Sequence, residues 1–266
     1  MFRAVRFLYV ALGFGLDSGM TSTDSSTNDR SIEGVLVIDK ELGMSSMHVC
    51  SIVRGKLKAG GAPKRVKVGH GGTLDPLASG VLVVLVGKAT KRCDQVMIGT
   101  KEYETSVDLS RISSTDDLEG EMRTVEVDEP PTLEAITQAC ARWTGSVMQT
   151  PPAYSAIKVG GQRAYAMARR GEHVELAARK VRIDSIEVLG YTWPNLELRV
   201  RCGKGTYIRS LGRDIGAVVG AGGVLTALRR TRVGRFELAQ AQRLGDLPDP
   251  LDPWSLTLDP GLFDQS

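Results

Sequence analysis

Cysteine and histidine are scarce, four and three among 266 residues, and both are scattered. Cys50, Cys93, Cys140 and Cys202 form no C-x-x-C pair, which excludes a zinc ribbon and a dithiol redox motif. A disulfide scaffold belongs to shorter secreted chains, so the sequence reads as a reduced, intracellular, metal-free protein. The apolar run FLYVALGFGL near the N-terminus is too short to span a bilayer. The glycine-rich stretch GHGGTLDPLASG (69–80) lacks the Lys-Ser/Thr ending of a phosphate loop, so nucleotide hydrolysis is a poor fit. Bases are absent after residue 243, and no internal repeat or linker interrupts 31–243.

Charge divides the chain into three parts. Residues 1–30 are neutral, with Arg3, Arg6 and Arg30 against Asp17, Asp24 and Asp29. Residues 244–266 hold five aspartates and no base, so the body, 31–243, carries +8 although the whole chain is only +3. That excess points to a polyanionic partner, with a solvated basic surface as the plainer alternative. The leader, 1–30, has three readings: a signal peptide, a mitochondrial presequence, or a start assigned too early with Met20 opening a polar lead-in, the last being favoured. A cytoplasmic location is expected, or a mitochondrial one if the leader is a presequence.

The body alternates strand and helix patterns, which gives a mixed α+β domain over 31–243 followed by an acidic, proline-bearing tail (244–266). GVLVIDK (34–40) and the apolar GVLVVLVG (80–87) read as strands, the second central. KEYETSVDL (101–109) alternates, with Tyr103, Thr105, Val107 and Leu109 on one face. Between the first two, SSMHVCSIVRGKL has helical spacing and Ser45 or Ser46 as N-cap. RISSTDDLEGEM is a polar loop or hairpin. TLEAITQACARWTG places Leu133, Ile136, Cys140 and Trp143 on a helical face capped by Thr132. Residues 148–172 begin irregular and end as a short basic helix, a long insert of the kind that is more often functional than filler. LELRVRC (196–202) is a strand with Leu196, Leu198, Val200 and Cys202 inward, and GKG turns it into a helix carrying Ile208, Leu211, Ile215, Val218 and Val219. TALRR reads as a last helical turn before an edge strand, TRVGRFEL. Repeated Asp-Pro pairs keep the tail out of helix and central strand.

Three residues break the local pattern. Asp75 puts a carboxylate into a glycine-rich loop that would suit an anion better. Gly71 and Gly72 free the backbone before it, and Pro76 drives Asp75 itself toward an extended conformation. Such a loop presents the acid for chemistry, or else Asp75 merely caps an Asp-Pro turn. Arg209 falls in the first turn of a helix, where a cation opposes the dipole. A nearby carboxylate would cancel that penalty, and an arginine extended to solvent or phosphate is the alternative. Tyr103 either packs in the core or offers a platform on which a base stacks.

Five motifs, GVLVIDKELGMSS, KVGHGGTLDPLASGVL, KEYE, TPPAYSAIKVGGQRAYAMARRG and CGKGTYIRSLGRDIG, together resemble the TruB family of tRNA pseudouridine synthases, in that family's order and across essentially all of 31–243. The resemblance implies a pseudouridine synthase fold, a mostly antiparallel central sheet flanked by helices, with an RNA-binding insert. It implies isomerisation of uridine to pseudouridine in the tRNA T-loop, at the position conventionally numbered 55, by a stand-alone enzyme without a C-terminal PUA domain. Asp75 matches the family's catalytic aspartate, Arg209 its partner, and Tyr103 the tyrosine that stacks on the base. Tyr207 and Leu228 match pocket-lining residues, His70 the histidine that enters the RNA fold, and Lys40 the motif-one lysine; Gly71, next to His70, is expected to bind substrate with them. Glu41 stands where the family usually has proline. Isomerisation requires neither redox change nor hydrolysis, so no cofactor and no metal are expected, nor a membrane; the partner is the tRNA T-arm and the enzyme a monomer. PKRVK (63–67), ARR (168–170) and Arg229, Arg230, Arg232 and Arg235 are expected to hold phosphates. Whether Asp75 attacks base or sugar stays open. A tRNA-binding folding chaperone without catalysis is the competing reading, disfavoured because a binder has no need of the acid.

Overall fold

The computed structural model describes residues 32–256 except 156, 173 and 175. The leader and the last ten residues of the tail therefore lie outside the described residues. The strands are β1 (Glu33–Lys40), β2 (Val68–His70), β3 (Ala78–Gly87), β4 (Lys101–Asp108), β5 (Arg111–Ser113), β6 (Met122–Thr124) and β7 (Gly145–Gln149) in the first part of the chain. β8 (Lys158–Val159), β9 (Gln162–Arg163), β10 (Arg179–Thr192), β11 (Asn195–Cys202), β12 (Val224–Val233), β13 (Phe236–Glu237) and β14 (Gln242–Arg243) follow. The helices are α1 (Ser46–Ala59), α2 (Cys93–Ile98), α3 (Leu133–Arg142), α4 (Ala164–Arg169) and α5 (Ile208–Val218).

One ten-stranded sheet organises the domain, in the order β14-β1-β3-β12-β4-β11-β10-β7, with β2 added to β3 and β13 to β12. Its pairs are antiparallel except β1 with β14 and β3 with β12. The apolar run of β3 is central as expected, and buried on both faces. Val81, Val83 and Leu85 pack with Val96, Val233 and Phe236, while Leu82, Val84 and Val86 pack under α1. A third cluster joins Val107, Leu196, Leu198 and Val200 of the sheet to Ile136 of α3 and Leu211 and Ile215 of α5. Helix α1 starts where its Ser45 cap accepts from the His48 amide at 3.1 Å, and α3 where Thr132 accepts from Ala135 at 3.2 Å. The face of α3 is Ile136, Ala139 and Cys140; Leu133, expected inward, is exposed in its first turn, and Val218 at the end of α5 is exposed as well.

Two readings of the sequence are corrected. TALRR is not helical: it belongs to β12, parallel to β3 and antiparallel to β4. TRVGRFEL is not an edge strand either, since Thr231–Val233 completes β12 inside the sheet and β13 folds back on it. Bulges between Leu225 and Ala227 and between Arg230 and Arg232 shift the alternation, so the period of two is hidden and Leu225 and Leu228 imitate helical spacing. Similar bulges in β10, at Ile183/Ser185 and Val188/Gly190, hid that strand altogether. After β14 the acidic segment is irregular beyond residue 246, and it is fastened to α1. Leu244, Leu247 and Leu251 are buried there, and Asp249 pairs with Lys56 at 3.1 Å.

Candidate active site

The glycine loop before β3 is held from three sides. Ser46 at the start of α1 both donates to the Leu74 carbonyl and accepts from the Leu74 amide, each at 2.8 Å. The Gly43 amide donates to the Pro76 carbonyl at 2.8 Å. Arg230, only 2% exposed, donates to the carbonyls of Gly72 at 3.1 Å, Thr73 at 3.2 Å and Val81 at 2.8 Å. Leu74 is thereby buried while the Asp75 side chain stays 41% exposed. The loop presents the acid instead of using it as a turn cap.

Asp75 meets Arg209. The Arg209 Nη2 donates to Asp75 Oδ2 at 2.9 Å and to the Tyr154 carbonyl at 3.0 Å. Its Nη1 donates to Asp117 Oδ2 at 3.1 Å and to the Thr115 carbonyl at 3.2 Å. The penalty of a cation at a helix N-terminus is thus offset by two carboxylates that lie off the helix. Asp117 is 1% exposed and comes from the hairpin loop between β5 and β6. The sequence reading missed it. The available signal was Arg209 itself: a buried guanidinium has five donors in a fork, more than one exposed aspartate can satisfy.

The same end of α5 is steadied by Gln149 at the end of β7. Its amide accepts from the Tyr207 N–H at 2.8 Å and donates to the Tyr207 carbonyl at 3.0 Å. This replaces a side-chain cap on α5 and holds the Tyr207 backbone, while Arg179 sits over the Tyr207 ring, 5.0 Å from the centroid. Gln149, too, was not singled out in the sequence.

A cleft of about 400 Å³ opens at these residues. Asp75, Tyr103, Tyr207, Arg209 and Leu228 line it, together with Lys101 and Arg230. Tyr103 on β4 lies opposite Arg230 on β12, and Leu228 lies between Ala78 of β3 and Thr105 of β4. Burial raises the Tyr103 phenol above its ordinary value, which keeps it neutral at pH 7.

His70, Gly71 and Lys40 are not among the residues lining that cleft. His70 ends β2; burial, then the charge of Arg230, lowers its pKa, and its Nδ1 has no hydrogen-bond partner among the described residues. A Cβ on Gly71 would come within 2.4 Å of the Val96 side chain, so the glycine is required for packing of the loop against α2. Lys40 is fully buried and clamps the turn after β1, donating to Glu41 O at 3.0 Å and Met44 O at 2.8 Å. Burial brings its ammonium down to about 8, with Asp75 pulling the other way. The clamp supplies the turn with rigidity where Glu41 stands in place of proline.

The basic segments divide. Lys64, Arg65 and Lys67 are exposed. Arg230, expected on phosphate, is instead buried with its donors on loop carbonyls, because β12 runs inside the sheet and not at its edge. Arg229 pairs with Asp39 and Arg232 with Glu237, each at 2.8 Å. Among the described residues no cluster of His, Cys, Asp and Glu has metal-site geometry, and no helix is long and apolar enough to cross a membrane.

Comparison with known proteins follows the same line. The model for the TruB family pseudouridylate synthase N-terminal domain matches residues 60–208, and that for the tRNA pseudouridylate synthase B C-terminal domain matches 209–260. The chain is 44% identical over 218 residues to tRNA pseudouridine synthase B of Phocaeicola vulgatus, covering 82% of this chain and 93% of that protein. It is 44% identical over 220 residues to the protein of that name from Mycobacterium tuberculosis, covering 81% of this chain and 72% of the relative. Among solved structures, a Cbf5-Nop10-Gar1 complex matches with a TM-score of 0.61 at 32% identity, over 80% of this chain and 53% of that one. An H/ACA RNP bound to a substrate RNA containing 2'-deoxyuridine gives 0.58 at 29% identity, over 80% of this chain and 52% of that one. The chain therefore spans about half the length of those two structural relatives. With its mixed sheet, its presented aspartate and these matches, the chain belongs to the TruB family of pseudouridylate synthases, which are isomerases.

Proposed function

We propose that this chain isomerises uridine to pseudouridine in tRNA, at position 55 of the T-loop, with Asp75 as nucleophile on a base flipped out of its stack. The observation that carries the reading is the Asp75–Arg209 pair, 2.9 Å, at the cleft, held from behind by the buried Asp117. The reaction detaches uracil from ribose, turns it and rejoins it through carbon, so one site must hold both fragments. A carboxylate bound to a fixed guanidinium is held in place and aimed, which is what a nucleophile needs. Tyr103 supplies a neutral ring on which uracil stacks, and Leu228 and Tyr207 complete the wall.

Flipping the base costs on the order of a few kcal/mol, which stacking and pocket contacts offset. His70 borders the loop at the place where the base would leave its stack, while Lys40 and Gly71 act on the loop's shape. Lys64, Arg65 and Lys67 hold backbone phosphates, which fixes register without choosing the base.

Asp75→Asn tests the reading. It keeps the shape of the loop and removes the nucleophile, so turnover on tRNA is expected to vanish while tRNA binding changes little. Wild-type turnover by Asp75→Asn would refute the assignment. Binding of tRNA with no turnover by the wild-type protein would favour the chaperone reading.

A further inference from the structure

Three cations beside the cleft are buried with their donors mainly on backbone oxygens, Arg230 also hydrogen-bonding the Tyr103 side chain. Lys40 serves the carbonyls of Glu41 and Met44, Lys101 those of Met97 and Gly99, and Arg230 those of Gly72, Thr73 and Val81. Among the described residues none of the three has a carboxylate within ion-pair distance, although Lys101 is 7% and Arg230 2% exposed. Holding carbonyls does not require charge. A neutral amide would satisfy them without the desolvation penalty of a buried ion. Asp75 favours the Lys40 charge from a distance, but its direct partner is Arg209.

Two of the three reach the cleft wall, and both adjoin the tyrosine on which the base stacks. Lys101 precedes Tyr103 by two residues on the same face of β4, and Arg230 is the cross-strand partner of Tyr103 on β12. Fixed positive charge in a poorly solvated wall is effective where negative charge develops during reaction. Burial, and next the charge of Arg230, brings the Lys101 ammonium down to about 8, a sign that the two cations share one low-solvent environment.

We propose that Lys101 and Arg230 form an electrostatic site for the uracil ring while it is detached from its ribose. The inference rests on the reaction proposed above. When the glycosidic bond breaks, its electron pair stays on ring nitrogen N1 and the base becomes an anion. The anomeric carbon is taken up by the Asp75 carboxylate, to which a new carbon–oxygen bond forms. Carbon 5 of the turned base then attacks the anomeric carbon, and the carbon–oxygen bond returns its pair to Asp75. The proton on carbon 5 leaves to solvent and N1 gains one, so atoms and charge balance. Uracil carries full negative charge only between the two bond exchanges, and cations fixed beside it favour that interval over bound uridine.

Single-turnover kinetics on a T-arm tRNA transcript test this. Lys101→Gln and Arg230→Gln, which keep donors and remove charge, are expected to slow the first-order step roughly 100-fold with Kd for the transcript changed by less than about threefold. Arg230→Lys, which keeps the charge, recovers most of that loss. On the same transcript carrying 5-fluorouridine, the fluorine itself stabilises the base anion, so the deficit in glycosidic cleavage narrows to about tenfold. An equal deficit on both substrates, or one confined to Kd, overturns the proposal. Should Arg230→Gln fail to fold, Lys101→Gln carries the test, since the lysine caps only the short helix α2. Absence of turnover by the wild-type protein refutes the function proposed above; wild-type turnover with unimpaired Lys101→Gln refutes the cation site alone.

Discussion

At the scale of single residues, the site is a problem of buried charge solved by shared partners. Arg209 would be misplaced at the start of α5 if it faced solvent alone. Held between Asp75 and Asp117, it becomes the fixed point of the cleft. Asp117→Ala removes the buried carboxylate and leaves Nη1 of this guanidinium with the Thr115 carbonyl alone, and breaking a buried pair in this way costs about 3–5 kcal/mol. Urea unfolding should show that loss, and turnover should fall with it. A variant as stable and active as wild type would show that Asp117 is a bystander. The neighbouring Asp116 behaves differently. Burial lifts its carboxyl to about 6, in spite of Arg213 at 2.8 Å. The folded protein therefore holds this proton more tightly than the unfolded chain, where the group titrates at its ordinary 3.8. Its contribution is complete below that value and is lost as pH rises through 6. Asp116→Asn removes the dependence and suits the backbone, whose φ of 61° asparagine tolerates well. Relative to wild type, the variant should gain on the order of 2 kcal/mol between about pH 4 and pH 7. A gap between the two unfolding curves that stays constant over that range contradicts the assignment.

At the scale of elements, β3 and β12 decide the geometry because their parallel pairing brings the glycine loop to Arg230. Gly80 makes the approach close: its φ is 102°, and a Cβ there would lie 2.2 Å from the Arg230 carbonyl oxygen. Gly80→Ala should destabilise the fold by about 2 kcal/mol or more, from backbone strain and clash together. A melting temperature equal to that of wild type would remove Gly80 from this role. The elements with clean periodicity, β1, α1, β3, β4, β11 and α5, were legible in the sequence because each buries one regular face or, for β3, both. Strands β10 and β12 were not, since their bulges displace the very residues that would mark a face. Asp75, Tyr103, Tyr207, Arg209 and Leu228 were legible as motif residues and come together at one cleft. Asp117, Gln149 and the burial of Arg230 were not, because each depends on what a distant segment places opposite. No local pattern in a Ser-rich hairpin announces that its aspartate will face an arginine 92 residues away.

At the scale of the molecule, the +8 body makes sense as the counterpart of a polyanion. Lys64, Arg65 and Lys67 lie exposed just before β2, and Lys88 and Lys91 just after β3, with the Gly87 amide bonded to the Lys67 carbonyl at 2.8 Å. The two groups thus meet at one end of the β2–β3 pair, where β2 begins and β3 ends. Replacing Lys64, Arg65 and Lys67 by glutamine should weaken tRNA binding and make its salt dependence shallower, by about one unit of logarithmic slope for each phosphate that is no longer neutralised. The rate constant of the bound complex should stay nearly unchanged. Unaltered salt dependence would place the RNA backbone elsewhere.

The central claim is the reaction and its site, and tritium release tests both together. The substrate is a tRNA transcript labelled at carbon 5 of its uridines, and the control carries cytidine in place of the T-loop uridine. Joining the ribose to carbon 5 expels the label there, so wild-type protein should release tritium from the first transcript and none from the second. Equal release from both would move the reaction away from the T-loop, and binding without release from either would contradict catalysis altogether.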